Sequence, residues 1–208
     1  LPPGSEVVSC SPKETNRRLA EGWADAVFYP KYESYPVETV PSVRKFVKEG
    51  GTLLDFGGMP MWAPFKEKEG KLKFWKTWED RASLRIGVDA WFMNDKSAPE
   101  TLRCFVTEDG QKAGVNFLPD GLKIARFQTA QYLKPGDRMV PLMAGKNPKN
   151  GKDTVGACVY LFDSDFKGRV AVSGLRVGIN AENTELEQAQ YLVRALALAF
   201  AEGVEAFF

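Results

Sequence analysis

Two apolar runs that flank an amphipathic stretch constrain the fold of this chain more than any other feature of its sequence. The first run, DAVFYP (25–30), ends at a proline, and the second, TLLDFGG (52–58), ends at two glycines. Between them, YPVETVPSVRKFVKEGG places Val40, Val43, Phe46 and Val47 on one helical face and ends in a glycine pair that stops a helix. A strand, a helix and a strand with short connections predict a right-handed parallel crossover.

The residues before this unit show the same succession of a strand and a helix. EVVSC (6–10) is a short β-type run. After it, Ser11 suits the N-cap of a helix, Pro12 suits the first helical position, and Glu14 completes a capping box. Gly22 follows as a helix stop. The whole succession predicts an α/β fold with a doubly wound, mainly parallel sheet.

Between residues 66 and 150 the pattern changes to a charged, loop-rich stretch. Its β-type runs are separated by turn residues such as Asp109-Gly110, which favour hairpins. We predict an antiparallel, β-rich insertion within a single domain of residues 1–208. The chain then returns to the main sheet through a hairpin over 154–177 and ends with an amphipathic helix at 182–203.

The chain contains no histidine. Histidine is the commonest general base near neutral pH and the commonest zinc ligand, so Ser-His-Asp triads, Cys-His sites and histidine-bearing metal sites are excluded within this chain. The three cysteines, Cys10, Cys104 and Cys158, lie in apolar runs and are predicted to be small buried hydrophobic residues. No phosphate-binding or calcium-binding loop motif occurs, and we expect no cofactor and no metal.

Charge and hydropathy limit the partners of the chain. The 28 basic and 27 acidic side chains leave a net charge of +1 with no run of five like charges, so we expect no nucleic acid partner. No stretch approaches the roughly 18 to 20 apolar residues of a membrane span, so we expect a soluble chain without a membrane partner.

The abrupt start, LPPGSEVVSC, lacks the features of a signal peptide and predicts a piece of a longer protein. The compartment stays open, and the parent protein could be periplasmic or extracellular.

The stretch WADAVFYPKYESYPVETVPSVRKFVKEGGTLLDFGG resembles the core of the class I glutamine amidotransferase-like (flavodoxin-like) fold. That family has a strand D-x-V-x-x-P, a helix x-P-x-L-x-x-F-V-x-x-G-G and a strand that ends in a glycine elbow. GRVAVSGLRVG before a long apolar helix resembles the end of such domains, in particular the degenerate type found in bacterial glycoside hydrolases, including the β-galactosidase trimerisation type. The resemblance covers roughly residues 6–62 and 153–205.

The departures from the family pattern imply a domain without catalysis. In active amidotransferases the elbow reads G-x-C-x-G, and a histidine activates its cysteine. Here the elbow reads GGMPM, with Met59 or Pro60 in the place of the nucleophile. The resemblance therefore implies a pseudoenzyme that contacts other domains of its parent chain or forms a homo-oligomer. Such a domain would serve assembly, or form part of a cleft, in a larger carbohydrate-active protein.

Aromatic residues cluster on the two loops expected at the carboxyl ends of the parallel strands, 29–36 and 57–64, where α/β sheets bind ligands. Flat rings stack on sugar rings, so a carbohydrate-binding module is the first alternative function. The other explanation is that these rings fill the crevice or pack against a partner. The candidate ligand-binding residues are Tyr32, Tyr35, Asp55, Met59 and Trp62.

A glycoside hydrolase that uses carboxylates alone is the second alternative, because such enzymes need two carboxyl groups at a set separation. Asp55, Glu79, Asp80 and Asp89 are available, and nothing in their spacing selects a pair. Asp55 lies near the carboxyl end of an apolar strand, where a perturbed pKa is most plausible. A structural hydrogen bond is the other role open to Asp55.

Overall fold

The fold was analysed in a computed structural model, which describes residues 6–29, 34–56, 60–69, 71–74, 79–89, 104–115, 123–124, 127–146 and 151–176. Four helices lie in these ranges: α1 (Pro12–Ala20), α2 (Val40–Lys48), α3 (Glu79–Ser83) and α4 (Glu108–Lys112). Thirteen strands accompany them: β1 (Ala26–Tyr29), β2 (Ser34–Pro36), β3 (Thr52–Phe56), β4 (Ala63–Lys68), β5 (Lys71–Phe74), β6 (Gly87–Asp89), β7 (Cys104–Val106), β8 (Lys123–Ile124), β9 (Phe127–Thr129), β10 (Arg138–Lys146), β11 (Asp153–Leu161), β12 (Arg169–Ser173) and β13 (Leu175–Arg176).

The main sheet is mixed. Its order is β1-β3-β12-β11-β10-β7, with β9 also paired to β11 and β6 paired to β9. The β1–β3 and β3–β12 pairs are parallel, whereas the pairs made by β10 and β11 with their neighbours are antiparallel. The prediction of an α/β fold is confirmed, and so is the parallel crossover from β1 to β3. Because β1, β3 and β12 run in one direction, their carboxyl ends meet at one edge of the sheet.

The helix predicted after Ser11 is confirmed as α1. The Ser11 side chain accepts a hydrogen bond from the Glu14 amide at 3.3 Å, and Gly22 takes a φ of 68° just beyond the helix end. The strand predicted at 6–10 is wrong, because these residues pair with no strand among the described residues and Val7 is 75% exposed. A β-type run without a partner cannot satisfy its backbone groups as a strand.

One face of the parallel strands packs against α2. The buried residues of α2 face Val27, Leu53 and Val170, which share the same side of β1, β3 and β12. The helix is preceded by one turn of 3₁₀ helix at Val37–Thr39. This packing explains the apolar spacing in the sequence, since the buried residues of α2 are Val40, Val43 and Val47.

The strands of the 66–150 stretch pair antiparallel, as predicted, and β7, β9 and β10 join the main sheet. A turn was predicted at Asp109-Gly110, but these residues lie in α4, whose N-cap Thr107 accepts a hydrogen bond from the Gly110 amide at 3.0 Å. The following hairpin is confirmed, since β11 and β12 pair antiparallel. The helix predicted at 182–203 lies outside the described residues.

A small sheet lies next to the carboxyl ends of the parallel strands. Here β2 pairs parallel with β4, and β4 pairs antiparallel with β5. The stretch over 57–64 was predicted as a loop, but Ala63 and Pro64 already belong to β4, because β2 supplies their register partners, Ser34 and Tyr35. This pairing brings the two aromatic loops of the sequence side by side.

Candidate functional site

The candidate site lies where β1 and β3 end and the small sheet begins. Tyr29 and Asp55 are register partners on these neighbouring strands. Tyr35 on β2 approaches Tyr29, with ring centroids 6.5 Å apart. Asp80 and Arg81 come from α3, and Trp62 comes from the turn before β4. Five elements of the chain therefore contribute to one group of side chains.

Asp55 holds the turn that follows β3. Its side chain is buried, and Oδ2 accepts a hydrogen bond from the Met61 amide at 2.9 Å. Met61 has a φ of 48°, in the left-handed region that costs a residue with a side chain about 1 to 2 kcal/mol. The Met61 side chain is itself buried in the core next to α2. The contact with Asp55 thus offsets part of a local strain, which is the structural role left open for this carboxylate.

Two tyrosines belong to buried hydrogen bonds. Thr39 Oγ1 donates to the Pro36 carbonyl at 2.8 Å, so the Tyr29 hydroxyl donates to Thr39 Oγ1 at 2.7 Å. Burial raises the pKa of Tyr29. The Tyr35 hydroxyl donates to Asp80 Oδ2 at 2.7 Å, and the ring of Tyr35 is only 1% exposed. Tyr35 therefore positions Asp80 and has no free ring face for a sugar.

Arg81 and Trp62 form the outer part of the site. The guanidinium carbon of Arg81 lies 5.8 Å from the centroid of the Trp62 ring, a distance typical of a cation–π contact. Burial lowers the pKa of Arg81, while the nearby Tyr132, Tyr35 and Asp55 raise it. Trp62 is half-buried and Tyr132 is 41% exposed. Among the aromatic side chains of the group, Trp62 and Tyr132 are the ones that solvent or a ligand reaches.

The structure brings together three of the five predicted site residues, namely Tyr35, Asp55 and Trp62. Tyr32 and Met59 lie outside the described residues. Arg81 and Tyr132 were missed, and Asp80 was noted only as one of four carboxylates. No local motif marks them, because their place in the site depends on where α3 and the turn before β10 pack.

Comparison of the chain with family models gives no match, and neither does comparison with curated proteins. Within the part of the chain that the structure describes, no helix is long and apolar enough to cross a membrane. The same residues contain no cluster of three or more acidic or cysteine side chains that could hold a metal ion. The contacts of the site itself are therefore the basis for a functional proposal.

The two cysteines in strands are enclosed by the protein. Cys104 on β7 and Cys158 on β11 are buried, and burial raises the pKa of the Cys158 thiol. Cys10 is partly exposed. A thiolate is the nucleophilic form of cysteine, so a fully buried thiol with a raised pKa is unreactive.

We expect a thiol reagent such as Ellman's reagent to modify Cys10 rapidly in the native chain. Cys104 and Cys158 should react only at the rate of local or global unfolding, because both residues are buried. The measurement is the number of fast-reacting thiols, with Cys10→Ser as the matched control that should remove the fast phase. A second fast thiol in that variant would contradict the buried positions of these side chains.

A second polar cluster, the Arg85 network, shares no residue with the candidate site. Arg85 follows α3 and donates to Asp137 at 2.6 Å, to Ser164 at 2.6 Å and to Asp165. Asp137 also accepts bonds from the amides of Lys134, Asp163 and Ser164. Its side chain is fully buried. The network joins three loops, and each of its buried groups has partners.

We expect the Arg85 network to make the protein sensitive to acid. Burial alone would raise the pKa of Asp137, but the hydrogen bonds from Lys134, Ser164, Asp163 and Arg85 lower it below its usual value. A carboxyl with a lowered folded-state pKa stabilises the protein above its unfolded pKa of about 3.9, and this stability is lost as the pH falls further. Urea unfolding between about pH 6 and pH 3 should therefore show that the free energy of unfolding falls more steeply with pH for the unsubstituted chain than for Asp137→Asn. Equal slopes would contradict this expectation.

Proposed function

We propose that the chain is a non-catalytic domain of the class I glutamine amidotransferase-like, doubly wound type, which serves assembly or cleft formation in a larger carbohydrate-active protein. The observation that carries this proposal is the turn after β3. The position where an amidotransferase elbow presents its cysteine is here followed by a buried Met61 that Asp55 ties back to the strand. The chain has no histidine, and the two strand cysteines are buried.

The proposal predicts no glutamine hydrolysis and a stable association. The purified chain should release no more ammonia from glutamine than a variant in which all three cysteines are serine. In size-exclusion chromatography with light scattering it should form an oligomer, or bind the remainder of its parent polypeptide added in trans. Cysteine-dependent turnover would overturn the non-catalytic part. A monomer that also fails to bind its parent would overturn the assembly part.

Sugar binding is a second candidate, favoured by the half-buried Trp62 with Arg81 at 5.8 Å and by Asp80, the residue before Arg81 on α3. A ring face for stacking, a donor and an acceptor are the groups that orient a sugar in a cleft. Titration of tryptophan fluorescence with mono- and oligosaccharides would test it. Trp62→Phe should remove the response, and Trp23→Phe should keep it, because Trp23 is 47% exposed beside Arg18 on α1. No response at millimolar sugar in either protein would remove this candidate.

A hydrolase that uses carboxylates alone has weaker support. Asp55 accepts a backbone amide and Asp80 accepts a tyrosine hydroxyl, so both carboxylates have structural partners. This hypothesis would be removed if no glycoside were hydrolysed and if Asp55→Asn had the same properties as the unsubstituted chain.

A further inference from the structure

Two short strands, β6 and β9, are held to the main sheet at few positions. They pair with each other along their whole length. Among the described residues, β9 pairs with β11 only where Gln128 faces Val155, and β6 pairs with β9 alone. By contrast, β12 pairs along its whole length with both β11 and β3. Opening of the β6–β9 pair therefore breaks few hydrogen bonds to the rest of the sheet.

A buried side chain on β9 disfavours the closed arrangement of this pair. Gln128 is 3% exposed, and in the part of the chain that the structure describes neither its amide oxygen nor its amide nitrogen has a hydrogen-bond partner. Its register neighbours, Val88 and Val155, offer it no polar side chain. Oγ1 of Thr129 is likewise buried without a partner there. Buried polar atoms without partners are rare in native proteins, and water would solvate these three atoms if the pair opened.

One buried hydroxyl group opposes this opening. Tyr160 of β11 donates its hydroxyl hydrogen to the Gly87 carbonyl at 2.9 Å and to the Thr129 carbonyl at 3.0 Å. Tyr160 has no exposed surface, so water does not compete for these bonds. The burial of Phe127 in the core also favours the closed state. A single hydroxyl group thus bonds both strands of the pair at one end.

The Arg85 network fixes both strands at the same end. Arg85 lies just before β6, and it donates to Asp137, which follows β9, at 2.6 Å. Tyr132 lies between β9 and Asp137 in the chain, whereas Arg81 lies on α3, before Arg85. Burial lowers the pKa of Arg81 and Tyr132 raises it, so these two side chains lie near each other. An opening of the pair about the Arg85 network therefore changes the position of Tyr132 relative to Arg81.

We propose that the β6–β9 pair is a flap that opens from the native sheet, with the Arg85 network as its hinge and the Tyr160 hydroxyl group as its latch. Opening lets water, or a small ligand with hydrogen-bonding groups, reach the amide of Gln128. It also withdraws Tyr132, one of the two aromatic side chains of the candidate site that solvent reaches. The flap thus controls the shape of that site. This inference does not depend on the assembly function proposed above.

Native-state hydrogen exchange of the full chain, measured at single amides by NMR, tests the flap. In the unsubstituted chain the amides of β6 and β9 should exchange at least roughly tenfold faster than those of β12, which exchange by global unfolding. Gln128→Met replaces the unpartnered amide with an apolar group of similar size, so it should slow exchange in β6 and β9 roughly tenfold. Equal rates in β9 and β12, or exchange in Gln128→Met that is no slower, would overturn the inference.

Two buried tyrosines give a matched pair of variants. Tyr160→Phe removes the latch and should raise the exchange rates of β6 and β9 roughly tenfold. Tyr29→Phe removes the buried bond to Thr39, which persists when the flap opens. It should therefore raise exchange in β12 and leave β6 and β9 unchanged. If both variants raise exchange in β6 and β9 equally, the pair opens only by global unfolding and there is no flap. Gln128→Met answers the same question if Tyr160→Phe does not fold.

The movement of Tyr132 is measured by fluorine NMR on the full chain labelled with fluorotyrosine. The Tyr132 signal is assigned by its loss in Tyr132→Phe. Saturation transfer should reveal a minor state of this signal, whose population rises in Tyr160→Phe and falls in Gln128→Met. A Tyr132 signal that responds to neither variant would overturn the link between the flap and the candidate site. Oligomeric state and glutamine hydrolysis enter none of these readouts, so the assembly proposal is tested separately.

Discussion

Arg85→Met is expected to lower the free energy of unfolding by about 3 to 5 kcal/mol, the range found when one partner of a buried ion pair is removed. Arg85 is 5% exposed, and Asp137 opposite it is fully buried. The variant keeps the volume of the side chain beside Phe166, whose ring centroid lies 4.3 Å from the guanidinium carbon. The loss comes from the charge left on Asp137. Domains of this kind have a total stability of about 5 to 15 kcal/mol, so the change would be large.

Arg17→Met is the matched control for this experiment. Arg17 on α1 also makes two ion pairs at 2.7 Å, to Glu14 and Glu21, but its side chain is 53% exposed. Exposed ion pairs contribute little to stability, because water solvates both charges and salt screens them. Urea denaturation of both variants measures the difference directly. A loss for Arg85→Met no greater than that for Arg17→Met would show that the Arg85 network does not stabilise the fold.

Local signals were sufficient for the elements that depend on a few neighbouring residues. The cap at Ser11, the stop at Gly22 and the apolar face of α2 all act within one or two turns of helix, and each was predicted correctly. The signals for α4 were also present, because Thr107 is followed by two acidic residues of a first helical turn. The pair Asp109-Gly110 nevertheless led to the prediction of a turn. In the structure Gly110 is buried against the Leu142 carbonyl, where no larger residue fits.

Partners distant in sequence decided the elements that were predicted wrongly. EVVSC at 6–10 has the composition of a strand, but a strand exists only where another strand accepts its hydrogen bonds. The opposite case is β4, whose first residues were expected in the loop 57–64 and whose pairing partner is β2. Proline is tolerated in such a strand when its missing amide faces away from the ladder or lies at an edge. Composition alone therefore could not place either segment.

The sequence predicted the region of the candidate site from its loops, but not the contacts of the residues in it. The carboxyl-end rule places Tyr35, Asp55 and Trp62 in one region, because it depends on strand direction alone. Their roles depend on Asp80 and Arg81 of α3, which lie more distant in the chain and show no motif. Buried Tyr35 contacts Tyr29 of β1 and Asp80 of α3, and no periodicity in the sequence contains this information.

Asp55→Ala is expected to lower the free energy of unfolding by about 2 to 3 kcal/mol, which is the upper range for a hydrogen bond to a charged group. The variant leaves the Met61 amide without its acceptor inside the protein and leaves the left-handed backbone of Met61 without the contact that offsets its strain. Asp55→Asn keeps an oxygen that accepts the same bond, so it should recover most of the loss. Asp25→Ala, at an exposed position before β1, should change the stability by no more than about 0.5 kcal/mol.

The pair of Asp55 variants also separates the structural role of this carboxylate from a catalytic one. A structural acceptor makes stability sensitive to Ala and nearly indifferent to Asn, because both Asp and Asn present an oxygen to the Met61 amide. A general acid or nucleophile gives the reverse pattern, since Asn can neither donate a proton nor form a glycosyl ester while it leaves the fold intact. Urea denaturation and a glycosidase assay on the same three proteins therefore distinguish the two roles. A structural role lowers the stability of Asp55→Ala, whereas a catalytic role removes the activity of Asp55→Asn and leaves its stability intact. Stable Asp55→Asn protein that loses a measurable activity would replace the non-catalytic proposal with the carboxylate hydrolase.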